Sequence, residues 1–108
     1  MIEVRIIETK RQGYCVEVEV IKAGSYGTAA RFKTSDEYAA MDIANYVDAI
    51  LKAAVGTVQC VNVLSVKFGW IVSTRISGNE FTVFYPLKEQ ADEVAAFVKE
   101  TLRIAALP

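Results

Sequence analysis

This chain of 108 residues predicts an α+β fold in a single domain, an internally duplicated βββαβββα with a mainly antiparallel sheet and two helices on one face. Three observations carry that expectation. Apolar and polar residues alternate with a period of two over six short stretches, as strands with one buried face do. Two longer stretches place apolar residues at steps of three and four, as amphipathic helices do. The second half also repeats the first: Gly13-Tyr14 matches Gly69-Trp70, Val16, Val18 and Val20 match Val72, Thr74 and Ile76, Phe32 matches Phe84, and Ile50 matches Leu102. Upstream, Val4, Ile6 and Ile7 line up with Val61, Val63 and Leu64. The domain 1–108 thus divides into two similar units, 1–55 and 56–108, with no Pro/Gly/Ser-rich linker between them.

The first strand spans Ile2 to Glu8, with Ile2, Val4 and Ile6 on one side. A polar turn over Thr9 to Gln12 leads to a second strand, Gly13 to Lys22. There Val16, Val18 and Val20 form one face, and Cys15, Glu17, Glu19 and Ile21 the other. The chain turns at Ala23-Gly24-Ser25 and returns as a third strand, Tyr26 to Lys33. A three-residue loop sets Glu17 opposite Arg31, whereas a two-residue Gly24-Ser25 turn sets Val18 there and exchanges the faces. The first register is expected because it joins opposite charges. Thr34-Ser35-Asp36-Glu37 reads as a capping box opening a helix. Its stripe is Ala40, Ile43, Ala44, Val47, Ile50, Leu51 and Ala54, and Gly56 closes it.

In the second unit, Thr57 to Lys67 is a valine-rich strand, followed by a tight corner at Phe68-Gly69 and a strand to Ser77. Gly78-Asn79 reads as a two-residue hairpin turn. With it, Trp70, Val72, Thr74 and Ile76 share a face with Phe81, Val83 and Tyr85, opposite Ile71, Ser73, Arg75, Glu80, Thr82 and Phe84. Pro86 opens the last helix, where a missing N–H costs nothing. Leu87, Ala91, Val94, Ala95, Val98, Leu102 and Ala105 make its stripe, and Phe97 and Ile104 widen the apolar side, to pack under a sheet edge or to contact another subunit.

Composition narrows the function. The net charge is −1, without the basic surplus that phosphate backbones attract. Histidine is absent, which excludes imidazole-based triads and zinc sites. Cys15 and Cys60 lie in strand-like runs and read as small buried thiols. Glu17 and Glu19 read as a solvated face balanced by Arg31 and Lys33. No cofactor is expected, and the pattern favours a non-catalytic protein over an enzyme. No apolar run reaches membrane-spanning length and the start alternates like a strand, so no membrane partner and a cytoplasmic location are expected.

The run Gly13-Tyr14 through Phe32-Lys33-Thr34-Ser35-Asp36-Glu37-Tyr38-Ala39 resembles the three-stranded-sheet-plus-helix module of integrase arm-binding domains and of plant APETALA-type DNA-binding domains. The likeness covers about 40 residues and extends to the second unit from Gly69 to Leu102. It implies that the open sheet face would enter the major groove, with Arg31, Lys33 and Arg75 at the reading positions.

Three functions follow as expectations. The first is a binding or interaction protein forming a homo-oligomer through sheet face or edge, with Phe97 and Ile104 as self-association residues. Its binding surface would hold Arg31, Phe32, Lys33, Arg75 and Phe84. The second is nucleic-acid binding through Arg31, Lys33, Arg75 and Lys67. The third is a small-ligand pocket between helices and sheet, with Tyr38, Asp42 and Tyr46 near its mouth.

Overall fold

The computed structural model of the chain describes residues 2–9, 11, 13–21, 27–53 and 60–106. Within them the elements run β1 (Ile2–Thr9), β2 (Gly13–Val20), β3 (Thr28–Thr34), α1 (Glu37–Ala53), β4 (Cys60–Val66), β5 (Gly69–Ile76), β6 (Asn79–Tyr85) and α2 (Lys88–Ala105). The duplicated βββα order stands. The strands form two three-stranded antiparallel sheets, β1-β2-β3 and β4-β5-β6, rather than one sheet of six. Short hairpins pair strands inside each unit, and among the described residues no backbone hydrogen bond joins β3 or β6 to the other sheet. The helices make the connection instead: both pack on both sheets and against each other.

The first hairpin takes the register that pairs opposite charges. Glu17 faces Arg31, Val16 faces Phe32 and Val18 faces Ala30. The Ala23-Gly24-Ser25 turn and Tyr26 lie outside the described residues, as do Ala54, Gly56 and the start expected at Thr57. In the second hairpin Ile76 faces Asn79, so the turn is Ser77-Gly78, one residue earlier than expected. Both central residues have positive φ, 51° and 83°, as this turn class requires. Moving the turn by one residue shifts the register by two, so the side chains keep the predicted faces. The corner between β4 and β5 is likewise Lys67-Phe68, with Val66 facing Gly69.

Both helices begin later than their sequence signals suggested. Thr34 is still paired with Tyr14 in the ladder, so it does not cap α1. Asp36 does: its Oδ1 accepts the Tyr38 N–H at 2.9 Å, and its carbonyl accepts the Ala40 N–H at 3.1 Å. Pro86 stands before the cap of α2, because Leu87 is extended (φ −116°, ψ 139°) and the helix starts at Lys88. Gln90 Oε1 accepts the Leu87 N–H at 3.3 Å, while the Leu87 side chain has no oxygen to return the bond.

One core results. Val16, Val18, Val20 and Ala30 come from the first sheet, Val72 and Ile76 from the second, Ala40, Ile43, Val47 and Ile50 from α1, and Ala91, Val94, Val98 and Ile104 from α2. The Cα extents are 47 × 40 × 17 Å. The short axis suits one layer of strands and one of helices, which pack about 10 Å apart. The helices therefore cover one face of each sheet and leave the other open. No described helix is long and apolar enough to cross a membrane.

Candidate functional site on the open sheet faces

The strand pairings place three rows of side chains on the open face of each sheet, and the two faces differ in chemistry. On the first sheet the centre is a buried carboxylate. Glu17, 4% exposed, accepts from Arg5 Nη2 and Nε at 2.7 and 2.9 Å and from Arg31 Nε at 2.7 Å. The two arginines on the neighbouring strands lie over it and exclude water. Their hydrogen bonds, Arg5's first and Arg31's second, hold the Glu17 carboxyl below its ordinary range, against the opposing effect of burial. Arg5 also reaches Glu19 at 2.7 Å and Glu3 at 3.8 Å. This relieves the like-charge pairing of Glu3 with Glu19 across the ladder. Glu17 is thus not a solvated acid, and its partners differ from those expected: Arg5 joins Arg31, while Lys33 makes no salt bridge among the described residues.

On the second sheet one of the three rows is apolar and the other two, Asn62–Ser73–Thr82 and Cys60–Arg75–Glu80, are mostly polar or charged. Leu64 faces Ile71, and Ile71 faces Phe84, so three apolar side chains stand abreast on three adjacent strands. Leu64 is 45% and Phe84 49% exposed, and Val66 extends the row at 37%. The Phe84 ring lies over the backbone of Gly69, where an added Cβ would sit 2.7 Å from two ring carbons. The glycine gives Phe84 one flat support and leaves its other side to solvent. At the end of this hairpin Phe68 is 85% exposed with φ 73°, and Lys67 Nζ sits 5.3 Å from its ring centroid. Farther along the face, Ser73 donates to Glu80 Oε1 at 2.8 Å, and Arg75 lies 3.9 Å from Glu80 Oε2.

Of the residues the sequence singled out, Arg31 and Lys33 lie on the open face of the first sheet, and Arg75 and Phe84 on that of the second. Phe32 does not join them. It pairs with Val16 on the core side, and its ring packs against Phe97 at 5.6 Å. The sequence match of Phe32 with Phe84 is one residue out: Tyr14 faces Thr34 as Trp70 faces Tyr85, so Phe84 corresponds to Lys33 and Phe32 to Val83. Phe97 and Ile104 are 5% and 0% exposed within the monomer, because α2 packs on both sheets and needs a broad apolar side. Ile104 offers no surface to a second copy, and Phe97 reaches the exterior only at a furrow beside β3.

Other expectations also shift. Cys15 is buried, but Cys60 is exposed on the outer strand β4 and accepts from Asn62 Nδ2 at 3.0 Å. Tyr46 lines neither of the two concavities found among the described residues. Its hydroxyl is buried against the second sheet, donating to the Phe81 carbonyl at 2.6 Å with Thr74 Oγ1 at 3.0 Å. Tyr38 is 76% exposed. The larger concavity is instead a furrow of about 440 Å³ along β3 and the flank of α2, lined by Arg31, Phe32, Lys33, Glu93, Ala96, Phe97 and Glu100. A smaller crevice of about 130 Å³ adjoins it through Phe32, Lys33 and Glu93, and reaches Tyr85. Burial, with Asp42 and Tyr46 nearby, pushes the Tyr85 hydroxyl up to about 12, so it stays a neutral phenol at physiological pH.

Alternation in β5 and β6 places Ile71 and Phe84 on one face, and the structure adds Leu64 to them. The signal for Leu64 was present in the alternation of β4, which puts Leu64 and Val66 together on one side, but only the register across β4 and β5 sets Leu64 beside Ile71. Comparison of the chain with protein-family models, with curated proteins and with solved structures finds no match.

Proposed function

We propose that the chain is a small non-catalytic interaction protein that self-associates through the open face of its second sheet. One observation carries the reading: Leu64, Ile71 and Phe84 form an apolar row across β4, β5 and β6 that neither helix covers. Single exposed apolar side chains are ordinary, whereas a contiguous row with polar neighbours marks a contact surface. The first sheet supplies the contrast, since its equivalent row is Ile7–Cys15–Lys33, with a charged residue where the second sheet has Phe84 and a buried thiol at its centre. A two-fold pairing would place the same row on both copies, face against face, and so bury both at once. The nucleic-acid reading draws less support, because the net charge is −1 and Glu17, Glu19 and Glu80 stand among the arginines of the open faces, where they repel a phosphate backbone.

Sedimentation velocity across a concentration series tests the proposal. A dimer is expected, and Phe84→Asp should shift it to monomer by placing two charges in the contact, while the circular dichroism spectrum stays unchanged. A monomer at every concentration, or a dimer indifferent to Phe84→Asp and Leu64→Asp, would overturn it.

A further inference from the structure

The furrow between β3 and α2 lies on the other sheet, apart from the apolar row, and presents two kinds of unmet bonding. β3 is the last strand of its sheet, and among the described residues its free edge has no backbone partner. Such an edge offers a ladder of donors and acceptors to another extended chain. Across from it, Lys33 and Glu93 line both concavities, yet neither has an ion-pair partner among the described residues.

We infer that this furrow binds an extended peptide by strand addition to β3, and that the peptide carries the charge pattern basic–acidic–apolar–acidic–basic. Side chains of an added strand alternate between the two sides of the sheet. A central apolar residue on the helix side meets Phe32, Ala96 and Phe97, the aromatic floor of the furrow. Its immediate neighbours point to the open side, where Arg31 and Lys33 stand two residues apart on β3 and favour carboxylates. The next pair points back to the helix side, toward Glu93 and Glu100. Those two glutamates are seven residues apart on α2, about 10.5 Å along the axis. The first and fifth residues of an extended peptide are about 13 Å apart, close enough for long basic side chains to reach both. Arg31 is paired with Glu17 through Nε and Glu100 gives both oxygens to Arg103, so Lys33 and Glu93 supply the charges of the furrow that are unpaired among the described residues, and Arg31 and Glu100 set the sign of the potential beside them.

The test uses the full chain and a labelled peptide with the core Lys-Glu-Leu-Glu-Lys, followed by fluorescence anisotropy and by amide shifts in NMR. Saturable binding is expected, with shifts concentrated in Thr28–Thr34 and in the Glu93–Glu100 turns. A charge-inverted peptide and one N-methylated on its backbone should each bind about tenfold more weakly. Lys33→Glu should weaken the original peptide and narrow the gap to the inverted one, Ala96→Trp should fill the furrow and abolish binding, and Lys52→Glu on α1 should change nothing. Absence of saturable binding, equal affinity for the inverted or N-methylated peptide, or shifts confined to the second sheet would overturn the inference. None of these outcomes depends on whether the chain self-associates.

Discussion

Glu17 is a carboxylate removed from water on a face that no helix covers, and two arginine side chains bond both of its oxygens. Hydrogen bonds to a charged group contribute about 1.5–3 kcal/mol each, and leaving one partner buried and unsatisfied costs more than the bond returns. Glu17→Gln keeps the shape and loses the charge, so it should destabilise the fold by about 1–3 kcal/mol at neutral pH in urea titrations. The pH dependence has a definite sign. A carboxyl held below its ordinary value in the fold stabilises the native state above its unfolded pKa, about 4.3 for glutamate. That stabilisation is lost as pH falls through the lower folded value. The wild-type chain should therefore weaken on acidification below about pH 4, and Glu17→Gln should flatten that limb. A variant as stable as wild type at pH 7, with an unaltered acid limb, would show the network to be inert. The pairing with Arg31 was legible in the sequence as a cross-strand charge match. The contribution of Arg5 and the burial of Glu17 were not, because alternation reports which side a residue faces and says nothing of a long neighbour folding over it.

At the scale of the element, the hairpins and helices were legible to within a residue or two, and the departures share a cause. Each predicted turn or cap was placed on the residue type best suited to it, whereas the ladder decides where pairing stops. Thr34 and Tyr85 stay paired as the last rungs of their strands, which delays α1 and α2. The β4–β5 turn carries this furthest. With Val66 and Gly69 paired, Phe68 must occupy a left-handed conformation, φ 73°, that costs a side chain with a Cβ about 1–2 kcal/mol. Its ring is 85% exposed, so burial returns little against that cost within the monomer. Phe68→Asn should therefore stabilise the isolated chain by about 0.5–1 kcal/mol, since asparagine tolerates this region. Thermal unfolding at a concentration where the chain is monomeric would read the change as a raised midpoint. A lowered midpoint would mean that the ring makes a supporting contact. If the adjoining apolar row is a contact surface, the same substitution should also weaken self-association, setting stability against binding at one position.

At the scale of the whole molecule, the placement of both helices on one face was legible from their apolar stripes, but the division into two sheets was not. Nothing in the alternation of β3 or β6 distinguishes an edge strand from a central one, because both kinds turn apolar side chains toward a helix layer. The halves therefore meet through side chains rather than a ladder among the described residues, and Tyr46 makes a polar contact that crosses between them. It belongs to α1 in the first unit, is 9% exposed, and sets its hydroxyl on the Phe81 carbonyl and Thr74 hydroxyl of the second. Its hydroxyl is pushed above the ordinary phenol range chiefly by burial, so it remains a neutral donor. Tyr46→Phe keeps the ring in the core and leaves the carbonyl without that donor in a dry site, which costs about 1–3 kcal/mol. Because the core is shared, unfolding should remain one cooperative transition, with its midpoint lowered and the amides of β5 and β6 exchanging faster than those of β1 and β2. Unchanged stability would mean that apolar packing alone holds the two sheets together. Equal acceleration in both sheets would mean that the hydroxyl supports the fold as a whole, rather than the seam between its halves.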